Sequence, residues 1–184
     1  MAITKIEQEN IFFKGIDYVI KCKGKVDKNE RRGHILYFYV DKDGEYLYSI
    51  KNSNNVCMMI SRCFLDKKIL KPNTYYISLK HNKKEIILQE IDEEIFYPDV
   101  DKLFDSVNCY KKSIEYWRNE SSVDGCISKA VYNIFQNGIL IKVKILIDVL
   151  SLHNIAEIFI DGPESPIYIK ENDIESIIMP MRIK

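Results

Sequence analysis

The spacing of apolar and polar residues changes repeatedly along the chain and predicts a protein made mostly of strands. From Ile16 to Val26, apolar residues alternate with lysines at positions 21, 23 and 25. This two-residue period is typical of a half-buried strand with one cationic face. The first predicted element is therefore a strand.

Two hairpins are predicted in the first half of the chain. The apolar runs 34–40 and 45–50 flank an Asp-Gly dipeptide, which is a strong short-range signal for a tight turn. The runs 75–80 and 85–91 flank a polar segment in the same way. Each pair of runs is long enough for two paired strands.

Two amphipathic helices are also predicted. Ser53 and Asn54 are suitable residues to cap a short helix. Its apolar positions follow helical spacing: Val56, Met59, Ile60, Cys63 and Phe64. A longer helix begins at Pro98 and continues to Trp117. Its apolar stripe is Val100, Leu103, Phe104, Val107, Ile114 and Trp117.

The order of elements in residues 1–97 is three strands, one helix and two strands. This is the order of an OB-type five-stranded barrel, and the region has a suitable length. The last sixty residues return to short strands: 126–133, 139–147, 155–161, 167–169 and 176–181. Short strands of this number close into a small bent barrel.

The predicted fold class is therefore β-rich α+β with two domains. Residues 1–97 form an OB-like N-terminal barrel, and residues 98–184 form a connecting amphipathic helix and a second, small C-terminal barrel. Hydrophobic residues make up 46% of the 184 residues, which is enough for two real cores.

The composition argues against secretion and against a membrane span. The five cysteines are scattered and odd in number, without the spacing of a zinc site, and they indicate reduced thiols. The first residues lack the apolar run of a signal peptide. The apolar segment 139–160 contains two lysines and an aspartate, so it is not expected to span a bilayer. A cytoplasmic or nuclear location is predicted, with no membrane partner.

No pattern of catalytic residues stands out. The three histidines, His34, His81 and His153, have no matching spacing, and no phosphate-binding glycine motif is present. Paired acids at 93–94 and at 99 and 101 indicate solvated surfaces rather than acid–base catalysis. The prediction is a non-enzymatic protein with no cofactor and no metal site.

The formal charge of zero hides two oppositely charged halves. Residues 14–84 contain 16 Lys/Arg and 7 Asp/Glu, a balance of +9, whereas residues 85–124 contain 4 and 11, a balance of −7. The basic half indicates an anionic partner such as nucleic acid. A solvated, lysine-rich surface is the alternative.

A nucleic-acid-binding face is predicted on the basic half. Tyrosines on an OB-type hairpin can stack on bases while cations follow the phosphates. The candidate residues are Lys21, Lys23, Lys25, Arg31, Arg32, Tyr37, Tyr39, Tyr46 and Tyr48. The alternative is that these tyrosines form ordinary cross-strand pairs.

The C-terminal part resembles an extended Tudor domain. Three successive stretches are similar to that family's barrel strands: 125–130 (GCISKA), 138–145 (GILIKVKI) and 156–162 (AEIFIDG). Stretches 166–169 and 172–178 continue the pattern. The resemblance covers about residues 98–184 and implies a small barrel that binds protein segments.

In that family, methylarginine is bound by a cage of aromatic rings. The positions here that match the cage are Phe135, Phe159, Asp161, Glu164 and Tyr168. Several rings of the family's pattern are missing: Ile141 and Gly162 stand where tyrosines are expected. The resemblance therefore implies a degenerate cage on a protein-binding scaffold.

Three functions follow from these observations. The first is a non-enzymatic adaptor that binds a peptide or domain, which the resemblance implies to act in RNA-silencing or germline ribonucleoprotein assemblies. The second is binding of single-stranded RNA or DNA through the basic, tyrosine-rich face. The third is a viral or bacterial accessory protein unrelated to Tudor. The sequence leaves the oligomeric state open.

Overall fold

The computed structural model describes residues 3–23, 37–53, 56–66, 69–72, 74–81, 84–90, 100–117 and 123–181. Within these ranges the strands are β1 (Ile3–Glu7), β2 (Tyr37–Val40), β3 (Tyr46–Ser53), β4 (Val56–Phe64), β5 (Thr74–His81), β6 (Glu85–Glu90), β7 (Lys112–Trp117), β8 (Ile155–Phe159), β9 (Ile167–Glu171) and β10 (Ile174–Ile178). The helices are α1 (Phe13–Lys23), α2 (Asp101–Val107), α3 (Val123–Gln136) and α4 (Val143–Leu150).

The chain divides into two compact units. Unit 1 contains Met1–Lys51 and Ser61–Pro98, and unit 2 contains Asn52–Ile60 and Asp99–Lys184. The residues of β4 are thus shared between the two units. The predicted domain division at residues 97 and 98 stays a prediction.

Unit 1 is a sheet with the strand order β1-β6-β5-β2-β3 and one helix, α1. The helix forms because Phe13, Ile16, Val19 and Ile20 recur at helical spacing and are all buried. Gly15 allows α1 to approach β4 closely, since a Cβ atom at this position would lie 3.0 Å from the Cβ of Cys63.

Both hairpins predicted in the first half are present in unit 1. Strands β2 and β3 pair with Tyr39 opposite Tyr48, and Gly44 takes the positive φ of 73° that the turn requires. Strands β5 and β6 pair with Tyr76 opposite Gln89. Residues 34–36, at the start of the predicted strand 34–40, lie outside the described residues.

Unit 2 contains the strand order β10-β9-β8-β7, with antiparallel pairing throughout this run. All five residues of β10 are buried, so both of its faces are covered. The β9–β10 turn is tight, with Asn172 at a φ of 52°. Two of its helices bury aliphatic stripes: Ile127, Ala130 and Ile134 on α3, and Ile145, Leu146, Val149 and Leu150 on α4.

Two elements of the first half differ from the prediction. Residues 16–23 are helical rather than extended, because the buried positions from Phe13 to Ile20 follow a period near 3.6 and outweigh the short alternation with lysines. Conversely, the helix predicted after Ser53 is β4. Residues 59–63 of β4 are all buried, so the strand lacks the alternation that would have identified it.

The second half contains the larger corrections. The long helix predicted from Pro98 to Trp117 is only α2, and its last third is β7. Two segments predicted as strands, 126–133 and 139–147, contribute to α3 and α4 instead. Their buried residues follow helical spacing, so packing of one helical face outweighs the strand propensity of isoleucine and valine.

The β-rich α+β class is confirmed. The Tudor-like barrel is wrong, because two of the stretches that carried the resemblance are helices or lead into one. The element order on which the OB-like barrel depended is not observed either, since a helix replaces its first strand and a strand replaces its helix.

Candidate protein-binding surface

The structure brings only two of the predicted cage residues into a described contact. The rings of Phe159 on β8 and Tyr168 on β9 lie 5.2 Å apart, as cross-strand neighbours. Tyr168 is only 2% exposed, and its hydroxyl donates a hydrogen bond of 2.6 Å to Oε1 of the buried Glu175. The ring of Phe104 meets Tyr168 edge-on. Tyr168 is therefore a core residue and does not line a ligand pocket.

The remaining cage positions lie on different elements. Phe135 is on the last turn of α3 and is 38% exposed. Asp161 and Glu164 are exposed in the connection between β8 and β9. The stretch 125–130, which the resemblance implies to be a barrel strand, is part of helix α3.

The predicted cations of the nucleic-acid face are described only in part. Lys21 is exposed on α1 and forms an ion pair with Asp17, one turn earlier. Lys23 is the last residue of α1. Lys25, Arg31 and Arg32 lie outside the described residues, as does the side chain of Tyr37.

The predicted tyrosines form a packed cluster, and sequence reasoning missed its central cation. Tyr48 is fully buried and stacks on Tyr39, with ring centroids 4.8 Å apart. The guanidinium of Arg62, on β4, lies 4.2 Å from the ring centroid of Tyr46 and donates a hydrogen bond of 3.3 Å to the Tyr48 hydroxyl. Phe64 meets the Tyr46 ring edge-on. The Tyr48 ring is thus inaccessible to a base, and Arg62 lies against the Tyr46 ring.

An apolar surface is present at the other end of the chain, in unit 2. The segment 137–142 connects α3 to α4, and we call it the connector. Its residues alternate: Ile139 and Ile141 are 0% and 5% exposed, whereas Leu140 between them is 38% exposed. The alternation directs two side chains into the core and one outward.

The segment Met179–Met181 follows β10 and lies beside the connector. The backbone N–H of Met181 donates a hydrogen bond of 2.6 Å to the carbonyl of Leu140. Met181 is 51% exposed, and Met179 and Pro180 are half-buried. Leu140 and Met181 therefore form a small apolar surface held by main-chain bonding, which we call the Leu140–Met181 surface.

The first residues of the connector also have a defined backbone conformation. Gly138 has a φ of 73°, in the left-handed region that favours glycine, and its N–H donates to the Phe135 carbonyl. A Cβ atom at Gly138 would lie 3.6 Å from Cγ of Pro163. The chain reversal after α3 is thus set by glycine and packs near the β8–β9 connection.

Methionine and leucine at a partly exposed position are well suited to protein contacts. Methionine is flexible and polarizable, so it adapts to different partner side chains. Neighbouring exposed apolar residues can mark a protein-interaction site, because their burial stabilises a complex when a partner covers them. Sequence reasoning missed this surface because the two segments were assigned to separate strands, 139–147 and 176–181.

Two kinds of functional element are not found among the described residues. Within the described ranges, no group of three or more His, Cys, Asp or Glu side chains could hold a metal ion. In the part of the chain that the structure covers, no helix has the length and apolar character needed to cross a membrane. The exposed apolar residues therefore remain the strongest candidates for binding.

Solved structures with the same fold are DNA polymerase sliding clamps. The beta subunit of the Streptococcus pyogenes DNA polymerase has a TM-score of 0.57 and 11% identity, over 100% of this chain and 66% of that chain. The Thermotoga maritima DNA polymerase III beta subunit has a TM-score of 0.55 and 10% identity, over 100% and 66%. The Helicobacter pylori beta clamp, solved bound to a DNA ligase peptide, has a TM-score of 0.51 and 14% identity, over 98% and 66%.

The chain thus has the fold of a sliding clamp and spans about two thirds of the length of the clamps it matches. No protein-family model and no curated protein sequence matches it. A non-enzymatic protein, as the sequence predicts, agrees with this fold.

This likeness corrects the functional predictions. The extended Tudor resemblance is wrong, because the structural neighbours have a different fold. The adaptor of RNA-silencing or germline assemblies is wrong for the same reason. The single-stranded nucleic-acid-binding protein does not fit a clamp-like fold either. The viral or bacterial accessory protein unrelated to Tudor stays a prediction. Of the predicted functions, only the binding of a protein partner agrees with the neighbours.

Proposed function

We propose that the chain is a clamp-type scaffold that works with a DNA polymerase and binds short segments of partner proteins. The observation that carries this proposal is the match of nearly the whole chain to sliding clamps from several bacteria. The identity is low, so the proposal depends on fold and surface together.

The Leu140–Met181 surface supports the binding of a peptide. Short peptides bind through a few apolar anchors, and most of the binding energy comes from a small number of residues. Leu140 and Met181 supply apolar contact, and the half-buried Pro180 adds a rigid neighbour. The H. pylori clamp, which shares the fold, was solved with a DNA ligase peptide.

One predicted protein-binding residue belongs to this proposal. Phe135 is exposed, and its carbonyl accepts the hydrogen bond that starts the connector. In this proposal the nucleic-acid partner is DNA, and the protein works on it together with a DNA polymerase. A bacterial replication factor implies a cytoplasmic location.

The test is peptide binding by fluorescence anisotropy, with the labelled DNA ligase peptide as the probe. We expect saturable binding to the full chain, and we expect Leu140→Ala and Met181→Ala each to weaken it roughly 5- to 30-fold, corresponding to about 1–2 kcal/mol for an anchor residue.

Ile147→Ala is the matched control. Ile147 lies on α4 in the same unit and is 40% exposed, close to the 38% of Leu140. It should leave the affinity unchanged. Equal losses for Leu140→Ala and Ile147→Ala would contradict the surface, and no binding to the full chain would contradict the peptide-binding role.

A further inference from the structure

One face of the β7–β8 strand pair in unit 2 presents large apolar side chains to solvent. Neighbouring residues of a strand point to opposite faces. Tyr116 and Ala156 lie opposite each other and are both 1% exposed, so the first face is covered. On the second face, Trp117 of β7 is 57% exposed, and Ile155, its cross-strand partner on β8, is 46% exposed.

The next cross-strand pair on this second face consists of two acids. Glu115 of β7 lies opposite Glu157 of β8; the former is exposed and the latter half-buried. Side chains directly opposite each other have Cβ atoms about 5 Å apart, and like charges at that distance are unfavourable. A cation bound between the two carboxylates would remove this repulsion.

The same row continues across the sheet with one lysine and a third acid. Lys170 on β9 lies opposite Glu157 on one side and opposite Glu175 of β10 on the other. Its ammonium group is 3.3 Å from Oε1 of Glu175. The row therefore contains three carboxylates and one ammonium group, a formal balance of −2. Because the ammonium group contacts Glu175, the excess negative charge lies toward Glu115, beside the exposed apolar pair.

The contact between Trp117 and Glu115 indicates which cation suits this face. Nε1 of Trp117 donates a hydrogen bond of 3.4 Å to Oε2 of Glu115, so the carboxylate lies at the edge of the indole ring. A planar guanidinium can stack on an aromatic ring and donate to a neighbouring carboxylate at the same time. The chain itself contains a stacked guanidinium in unit 1, where Arg62 lies 4.2 Å from the ring centroid of Tyr46. Arginine is therefore the best-fitting cation.

We propose that this face binds a basic segment of another protein through an arginine. The docking surface, which we call the Trp117–Glu157 surface, consists of Trp117, Ile155, Glu115 and Glu157. The guanidinium stacks on the indole and donates to the two carboxylates, and an aliphatic residue beside the arginine covers Ile155. Charge complementarity selects this occupant, because the negative row attracts a basic segment and repels an acidic one. The Trp117–Glu157 surface shares no residue with the Leu140–Met181 surface, so the inference is independent of the proposed function.

The only tryptophan of the chain, Trp117, reports directly on this surface. Its fluorescence is followed while the blocked peptide Gly-Ser-Arg-Leu-Arg-Ser-Gly is added to the full chain. We expect a saturable change in emission, and we expect the affinity to fall as the salt concentration rises. A peptide with citrulline in place of both arginines keeps the shape but lacks the charge, and it should bind about tenfold more weakly.

Variants of the acids test the role of the carboxylates. Glu115→Gln and Glu157→Gln should each weaken binding of the arginine peptide about two- to fivefold, and the double variant about tenfold. Glutamine keeps the size and one side-chain oxygen, so the fold should be retained, which circular dichroism checks. Glu164→Gln, at an exposed position between β8 and β9, is the matched control and should leave the affinity unchanged.

The apolar part of the surface has its own matched pair of variants. Ile155→Ala should weaken binding about two- to fivefold, because it removes apolar area that the peptide covers. Ile147→Ala, at a residue of α4 that is 40% exposed compared with 46% for Ile155, should have no effect.

Reversing the charges gives the sharpest test. Glu115→Lys/Glu157→Lys should lose the arginine peptide and bind the acidic peptide Gly-Ser-Glu-Leu-Glu-Ser-Gly instead, since the complementarity is exchanged. An arginine peptide that leaves the Trp117 emission unchanged would overturn the proposal, as would equal affinities for the arginine and citrulline peptides. Emission that changes with protein concentration without peptide would show that a second copy covers the surface, and would also overturn it.

Discussion

Unit 1 and unit 2 bury polar side chains by different means. In unit 1 the buried cation Arg62 lies over an aromatic ring and donates to a tyrosine hydroxyl. In unit 2 carboxylates receive the bonds: Glu175 accepts from Tyr168, and Glu171 lies 2.9 Å from Nδ1 of the fully buried His153. A buried polar group must find a partner, and each unit uses the partners that its own strands supply.

The comparison also concerns the helices. In unit 1, α1 buries Ile16 and Val19 close to β4 through Gly15. In unit 2, α3 and α4 bury aliphatic stripes rich in β-branched residues. The helix of unit 1 also buries the rings of Phe13 and Tyr18, whereas the buried residues of α3 and α4 in unit 2 are aliphatic. Three kinds of substitution test this comparison: removal of a buried ring, of a buried hydrogen bond and of an exposed ion pair. We expect the loss of stability to decrease in that order.

The largest expected effect is the loss of a buried ring. Phe104→Ala should lower the free energy of unfolding by about 3–5 kcal/mol, because Phe104 is 0% exposed and the substitution leaves a cavity beside Tyr168. Phe38→Ala, at an equally buried position in unit 1, should cost as much. Urea unfolding measures both values.

The control for this prediction is Leu103→Ala, on the same helix but only half-buried. It should cost clearly less than Phe104→Ala. Equal costs for Leu103→Ala and Phe104→Ala would show that α2 packs differently from the arrangement described.

A smaller effect is expected for the two buried hydrogen bonds. A double-mutant cycle of Tyr168→Phe with Glu175→Ala should give a coupling of about 1–2 kcal/mol, since the acceptor is a buried carboxylate at 2.6 Å. The cycle of Tyr48→Phe with Arg62→Ala should give about 0.5–1 kcal/mol, because that bond is longer, at 3.3 Å.

These cycles use the free energy of unfolding from urea titrations of the single and double variants. The most specific part of this prediction is that the coupling energy of the Tyr168–Glu175 pair exceeds that of the Tyr48–Arg62 pair. A larger coupling in unit 1 would indicate that the guanidinium, rather than the carboxylate, makes the stronger buried bond.

The smallest effect is expected for exposed helix pairs. Lys21 of α1 follows Asp17 by one turn, and Lys144 of α4 precedes Asp148 by one turn. An acid N-terminal to its base is the better orientation, so Lys21→Ala should cost about 0.2–0.5 kcal/mol and Lys144→Ala less. Thermal unfolding at low and high salt should show both differences shrinking with salt.

Sequence reasoning correctly predicted the elements whose residue pattern is contained within a short stretch of the chain. The β2–β3 hairpin follows from the Asp-Gly dipeptide, because a glycine at a positive φ makes the turn possible. The strands β8 and β9 and the helix at Phe104 also have clear periods. In each case the pattern within about ten residues determines the structure.

The remaining elements depend on packing that no local pattern contains. Strand β4 is buried along residues 59–63, so it has no polar face to reveal its period. Helices α3 and α4 consist largely of isoleucine and valine, whose intrinsic preference favours strands. The Leu140–Met181 surface joins segments far apart in the chain, so its existence depends on those helices.

The burial of β10 has a consequence for binding. All five of its residues are covered, and Met181 lies three residues beyond its end, with its N–H already bonded to Leu140. A partner peptide would therefore meet a backbone that is ordered in advance. Little conformational entropy remains to be lost on this side of the complex, so even a small apolar contact can yield useful affinity.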